Sequence, residues 1–311
     1  MNIFRSFEEL GKGINIRKPV VTTGSFDGVH IGHKAILRRM RILADDIGGE
    51  TALITFHPHP RKILYPDSVG KDLFLINSQR EKIDLLRKVG LDNLFIIPFT
   101  LEFSRTTSAV FVKKILIEKI NSKIIIVGFN HHFGYNREGD YKYLYELSRE
   151  NAFAVEEIPE QDLENEAVSS TKIRKALLEG DIQKANAYLD HHYIIYSKLF
   201  RGSRLLQDLN LNTYNLFIEE DIKLIPPAGV YAVNCNIDKL NHKALLNIKI
   251  DENNKKKYLE IYLIDAIEDH SNKQVVISFA KRLRDEYAFS NKDELLRRLN
   301  ADIEIVNNMI F

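Results

Sequence analysis

The sequence predicts an α/β protein in two parts: a doubly wound parallel sheet first, then an antiparallel β-barrel closed by a terminal helix. Three observations carry that expectation. Up to about residue 158, short β-branched runs alternate with amphipathic helical stretches, the pattern of βαβ units. From Tyr193 to Phe279 the pattern changes to short strands separated by polar turns, as a barrel requires. With 311 residues the chain can hold about two domains, each with its own core. The boundary is placed near Lys184, giving expected domains of 1–184 and 185–311.

The strand at Val20-Val21-Thr22-Thr23 opens the most informative stretch. It leads through Gly24-Ser25-Phe26-Asp27-Gly28-Val29-His30-Ile31-Gly32-His33 into a helix expected over 34–47, where Ile36, Leu37, Met40, Leu43, Ala44 and Ile47 recur at helical spacing. Strand, tight turn and helix together aim backbone N–H groups at a bound anion. Gly24, Gly28 and Gly32 are expected to supply close approach and positive φ, and His30 and His33 to bring donors that charge near neutral pH. A phosphate site is the first expectation. The earlier Gly11-Lys12-Gly13 has no strand before it and reads as a loop.

Residues 51–56 form a second buried strand, running into His57-Pro58-His59-Pro60-Arg61, whose two prolines predict a stiff, extended turn. A helix follows over 79–89, with Ile83, Leu85 and Leu86 inward and Gly90 as its C-cap. A strand at 94–98 precedes Phe99 and Phe103, read as core aromatics, and a helix at 108–120 leads to a strand at 123–127. That strand ends on Gly128-Phe129-Asn130-His131-His132-Phe133-Gly134. After a strand at 153–158, Ser169-Ser170-Thr171-Lys172-Ile173-Arg174 opens a helix expected over 175–179, where hydroxyls, N–H groups and a guanidinium converge as a polyphosphate clamp. Residues 180–193 are expected to connect the halves. Strands follow at 193–199, 229–235, 244–250, 258–267 and 274–279, then a helix at 291–306 with Ser290 as N-cap.

Composition narrows the function classes. The 44 basic and 43 acidic residues nearly cancel, which argues against binding nucleic acid by bulk charge. The single Cys235 excludes an intrachain disulfide and a multi-cysteine metal site, and fits a reducing compartment. Residues 1–18 lack the apolar core of a signal peptide, and no run approaches the ~20 apolar residues of a membrane span. We expect a cytoplasmic protein whose partners are small molecules, not nucleic acid or membrane, and the sequence leaves a homo-oligomer open.

Four motifs in order now matter together: Gly24-x-Phe26-Asp27-Gly28-Val29-His30-x-Gly32-His33, Thr55-Phe56-x-Pro58-His59-Pro60, Val127-Gly128-x-Asn130-x-x-Phe133-Gly134 and Ser169-Ser170-Thr171-x-x-Arg174. Their set resembles the cytidylyltransferase-like nucleotidyltransferases and, within them, the bacterial bifunctional riboflavin kinase/FAD synthetases. That resemblance implies a Rossmann-like first domain that joins ATP to FMN, giving FAD and pyrophosphate, with Mg2+ assisting. It implies that His30 and His33 act on the α-phosphate. Gly24, Ser25, Phe26, Asp27, Gly28, Ser170, Thr171 and Arg174 would hold ATP, and Phe56, Pro58, His59, Pro60, Asn130 and Phe133 the flavin.

The second half resembles the riboflavin kinase barrel less completely. Thr213 and Asn215 stand at the family's metal and phosphate positions and Glu260 at that of its general base. The Gly and Pro of the loop at 210–215 are replaced, and Tyr262 stands where a histidine is usual. Cβ atoms in such a loop oppose close approach to ATP, so the expectation is a kinase fold with its kinase activity silenced, and a fully bifunctional enzyme is the alternative. Two other readings stay open at this point: a metal-dependent hydrolase built on His30, His33, His57 and His59, and a non-catalytic flavin binder.

Overall fold

Six strands rich in aliphatic and β-branched residues form one parallel sheet. A computed structural model describes residues 1–10, 15–163, 166–202, 212–251, 256–264, 266, 268–287 and 291–309; Gly11, Lys12, Gly13 and Ser290 lie outside them. The strands are β1 (Asn2–Phe4), β2 (Pro19–Thr23), β3 (Glu50–His57), β4 (Asn93–Pro98), β5 (Ile124–Gly128) and β6 (Ala154–Ile158). Their order is β1-β4-β3-β2-β5-β6, every pair parallel. The chain winds outward from β2 through β3 to β4, then returns to the other side of β2 as β5. That reversal opens a crevice beyond the carboxyl ends of β2 and β5, where open α/β sheets bind ligands.

Helix α1 (Ile31–Ile47) buries Leu37, Met40 and Ala44 and ends at Gly48, whose φ of 62° lets it close the helix. It begins three residues before the expected start because His30 occupies the N-cap position, so His33 lies in its first turn. Pro60 opens the short helix α2 (Pro60–Leu64) rather than prolonging an extended turn. Its fixed φ suits a first helical position. After α3 (Gln79–Lys88), the segment expected as one helix is α4 (Ser108–Val110) continuing into a π-helix at Phe111–Lys119. Helix α5 (Tyr141–Ser148), capped by Asp140, precedes β6, and β7 (Asp162–Leu163) pairs with β8 (Glu166–Ala167).

The contacts divide the chain into two units, Met1–Leu73 with Lys82–Val168 and Phe74–Glu81 with Ser169–Phe311. The second begins its long stretch with α6 (Ser170–Glu179) and α7 (Ile182–Leu189), the latter lying in the stretch expected as a connection. A closed antiparallel barrel follows from β9 (Tyr193–Arg201), β10 (Thr213–Leu216), β11 (Gly229–Ile237), β12 (Leu240–Ile250), β13 (Lys257–Leu263) and β14 (Gln274–Arg284), in the order β10-β13-β12-β11-β14-β9. Closure removes the exposed edges that open sheets must protect. Tyr193, Tyr231 and Phe279 pack edge-on within it at 5.3 and 5.5 Å. The terminal helix α8 (Lys292–Asn307) is capped by Asn291, which accepts from Glu294 N–H, and lays Val306, Leu299 and Ile303 against Val230, Ala232, Leu245 and Tyr262.

Candidate active site

The turn after β2 is built on three left-handed residues, Phe26 (φ 48°), Gly28 (φ 94°) and Val29 (φ 44°). Positive φ is costly for a β-branched side chain, and such backbone persists where surrounding packing imposes it. Gly24 and Gly32 have a different role from the one expected. Neither carries positive φ; a Cβ at Gly24 would lie 3.1 Å from the Phe26 ring, and one at Gly32 3.3 Å from the His30 ring. They make room for rings.

Those rings form a stack. Phe26 lies on His33 at 4.4 Å and His33 on His30 at 3.7 Å, with interplanar angles of 22° and 21°. Burial first, then the neighbouring His30 and Lys82, push the His33 imidazole well below its usual pKa of 6.5. The expectation of a charged His33 is therefore corrected: it is neutral near pH 7. Among the described residues His33 Nδ1 is buried without a hydrogen-bond partner, and the ring borders the cleft. The N–H groups of the first turn of α1 lie beside it, with the dipole favouring negative charge.

His59 caps α2, its Nδ1 accepting from Arg61 N–H at 3.2 Å, which leaves Nε2 as the protonated nitrogen. His57 and Pro58 beside it are exposed. The face-to-face stack keeps the in-plane lone pairs of His30 and His33 side by side, and His57 is turned to solvent. The four-histidine metal arrangement does not assemble, and among the described residues no group of three or more His, Cys, Asp or Glu could hold a metal ion.

These pieces border a cleft of about 690 Å³, within the usual range for small-molecule sites. Thr23, Gly24, Ser25, Phe26, His30 and His33 form one side, and Phe56, His59 and Pro60 continue it. Gly128 to Arg137 line the side beyond β5, including Asn130, which takes a left-handed φ of 54°. Asp27 is fully buried and, with Gly28 and Pro58, does not line the cleft. An aromatic wall completes it. Phe56 meets Phe99 at 5.5 Å and Phe103 at 5.6 Å, and the contacts run on through Phe111 to Phe133 at 6.5 and 5.9 Å. Phe133 also packs on Tyr143 and would collide with a Cβ at Gly139, so it is held in place.

Phe99 and Phe103, read from sequence as core, thus face the cleft as well. The Pro98-Phe99-Thr100-x-x-Phe103 spacing was the available signal, but aromatic spacing does not distinguish core from cleft wall. His131 was not anticipated. Its ring is only partly covered, yet Nε2 is buried without a partner. Burial, reinforced by His132 and Arg137, lowers its pKa to about 4.

A pH dependence of stability follows with a definite sign. Both His33 and His131 have folded-state pKa values below the ordinary 6.5, so the unfolded chain binds protons that the fold refuses. Stability is full above pH 6.5 and declines as the pH falls toward the folded values, at up to about 1.4 kcal/mol per unit for each group. The thermal midpoint is expected to drop between pH 6.5 and 4, with His131→Asn flattening part of the slope. Calorimetry over that range checks it, and an unchanged slope in the variant would refute the assignment to His131.

In the second unit, Ser169 is the N-cap of α6, accepting from Lys172 N–H, and Ser170, Thr171 and Arg174 follow on its first turns. On the barrel, Asn215 stands in register with Glu260 across β10 and β13, and Glu260 with Asn247 across β13 and β12. Cross-strand partners share a face, so the three polar groups line up. Lys249 Nζ donates to Glu260 at 3.1 Å. Thr213, two residues from Asn215 on the same face, has a buried Oγ without a partner among the described residues. Of the two positions where the family's Gly and Pro are replaced, Asn210 lies outside those residues, and Asn212 donates to the Ala266 carbonyl.

Comparison with known proteins finds a family for each half of the chain. Residues 14–172 match the family model for FAD synthetase and residues 189–310 that for riboflavin kinase. The bifunctional riboflavin kinase/FMN adenylyltransferase of Buchnera aphidicola from Schizaphis graminum is 32% identical over 98% of each chain. That of Pseudomonas fluorescens is 29% identical, over 95% of this chain and 96% of its own. A crystal structure from Streptococcus pneumoniae, described as a macrolide-efflux protein, superposes with a TM-score of 0.88 at 25% identity and covers 99% of both chains. Among the described residues here, no helix is long and apolar enough to cross a membrane.

Proposed function

Because this chain belongs to the bifunctional riboflavin kinase/FMN adenylyltransferase family, we propose that it transfers AMP from ATP to FMN, giving FAD and pyrophosphate. The observation that carries the reading is the pairing, in one cleft, of the His30–His33 stack at the start of α1 with the aromatic wall from Phe56 to Phe133. One part suits phosphate and the other suits a flat ring system.

A phosphate oxygen of FMN attacks the α-phosphorus, the new P–O bond forms, the bond to the β-phosphate bridging oxygen breaks, and pyrophosphate leaves. No side-chain nucleophile is required. The protein's task is to position the reactants and stabilise charge on the α-phosphate oxygens. His33, neutral before an anion arrives, donates from Nε2, and the phosphate's negative charge raises its proton affinity. His30 and the N–H groups of the first turn of α1 serve the same group. His59 Nε2–H and Asn130 orient substrate, and the resemblance assigns the β- and γ-phosphates to Ser170, Thr171 and Arg174. Among the described residues the cleft offers no carboxylate cluster for Mg2+, which would be carried by the substrate phosphates and supply charge neutralisation there.

A second activity, phosphorylation of riboflavin to FMN by ATP, is favoured by the orphaned Thr213 Oγ beside the aligned Asn215 and Glu260. An unpartnered buried hydroxyl suits a metal-bound phosphate, with Thr213 and Asn215 as the groups that would hold Mg2+ there. Glu260 takes the proton of the riboflavin hydroxyl as that oxygen bonds to the γ-phosphorus, the bond from the γ-phosphorus to the β–γ bridging oxygen breaks, and ADP leaves. The alternative is an adenylyltransferase with a silent barrel.

Chromatography of reactions of the protein with Mg-ATP and either FMN or riboflavin decides between them. FAD from FMN, together with FMN and FAD from riboflavin, supports both activities; no product from either refutes both. Glu260→Gln is expected to lower riboflavin phosphorylation by about 10²–10³-fold and to leave FAD formation from FMN unchanged. Equal loss of the two would refute the assigned base.

A further inference from the structure

Lys82 lies outside all four motifs, yet its ammonium ends inside the first of them. Its side chain is 3% exposed, and Nζ donates to the Ser25 carbonyl at 2.8 Å. Burying an ammonium is costly unless it is hydrogen-bonded, and here the Ser25 carbonyl is one of its acceptors. The same carbonyl accepts from the hydroxyl of Thr55, a fully buried residue on β3, at 3.2 Å. Two donors on elements outside the turn thereby grip one peptide group of it.

That peptide is the one joining Ser25 to Phe26. A trans peptide is planar, so fixing its carbonyl also fixes the N–H of Phe26 and the axis about which φ of Phe26 turns. Phe26 holds a left-handed φ of 48°, a conformation that requires outside support. Its ring lies on His33 at 4.4 Å, and His33 lies on His30 at 3.7 Å. Displacing the Ser25–Phe26 peptide therefore displaces the imidazole stack. We propose that Lys82 is a positioning residue for adenylyl transfer, holding the Ser25 carbonyl so that Phe26 keeps His33 and His30 aligned on the α-phosphate. The inference rests on the adenylyltransferase reading. The field of the ammonium, one of the causes of the lowered His33 pKa, is consistent with their closeness.

The test measures FAD formation from FMN and ATP with wild type, Lys82→Met, Lys82→Arg and Thr55→Val. Misplacement of catalytic groups by a fraction of an ångström lowers turnover more than binding, so Lys82→Met should lose about 10–100-fold in kcat with KM for ATP within about threefold. Lys82→Arg, which keeps charge and donors, should restore kcat to within about fivefold of wild type, and Thr55→Val should show a kcat loss of about 3–10-fold. If Lys82→Met does not fold, Thr55→Val alone decides by the same split. Unchanged kcat in Lys82→Met, a loss confined to KM, or full kcat in Thr55→Val would each overturn the proposal while the function stands. Wild type that makes no FAD would overturn the function reading and this inference together.

Discussion

His33→Ala is expected to lower the turnover of FMN adenylylation by about 10²–10³-fold, the usual cost of removing one donor aimed at developing charge, while ATP affinity changes only a few-fold. The imidazole is the middle ring of three, so alanine removes its donor and also leaves Phe26 and His30 without the surface that spaces them. The remaining grip on ATP, from the first turn of α1 and the rest of the cleft, is present before the reaction and after it. Ground-state binding should therefore survive better than turnover. Steady-state rates with calorimetric ATP titration separate the two quantities. Parallel losses in affinity and turnover would show that His33 only binds the nucleotide.

Lys223→Met is expected to be the most destabilising single change, by about 3–5 kcal/mol, or roughly 10 °C in thermal midpoint. Lys223 and Glu81 form an ion pair of 2.6 Å with side chains 2% and 1% exposed. The ammonium also donates to the carbonyls of Ile76 and Ile194 and lies 4.2 Å from the Tyr193 ring centre. Glu81 in turn accepts from Ser78 and Tyr196 N–H groups. Methionine fills similar space but leaves a buried carboxylate without its counter-charge and removes one donor from each of two carbonyls. Adding Glu81→Gln removes the stranded charge, so the double variant should be more stable than Lys223→Met alone. Thermal unfolding of the three variants checks it, and a double variant no better than the single one would show that charge is not the cause.

The strands and most helices were legible because their periodicity is local. The turn from Gly24 to His33 could be singled out as a candidate anion site for the same reason: its residues are contiguous, and α1 begins within it. The cap of α8 shows the limit of local signals. Ser290 and Asn291 are both good capping residues, and only the backbone geometry assigns the role to Asn291. The aromatic wall was only half legible, since Phe99, Phe103 and Phe111 have the composition of a core whether one face meets solvent or not.

By itself, the sequence determined the two-part architecture, the parallel sheet and barrel, and the strand–turn–helix from Val20 to Ile47 that was proposed to face phosphate. Each is encoded in short-range alternation or in a contiguous motif. The tertiary structure alone decided what surrounds that turn and how the segments group: Lys82 and Thr55 on the Ser25 carbonyl, His131 in the cleft, and Phe74–Glu81 with Ser169–Phe311. It also decided that His33 is neutral, because the shift comes from burial and from neighbours on other elements. Burial and long-range pairing depend on how distant segments pack, and no local pattern of residues specifies them.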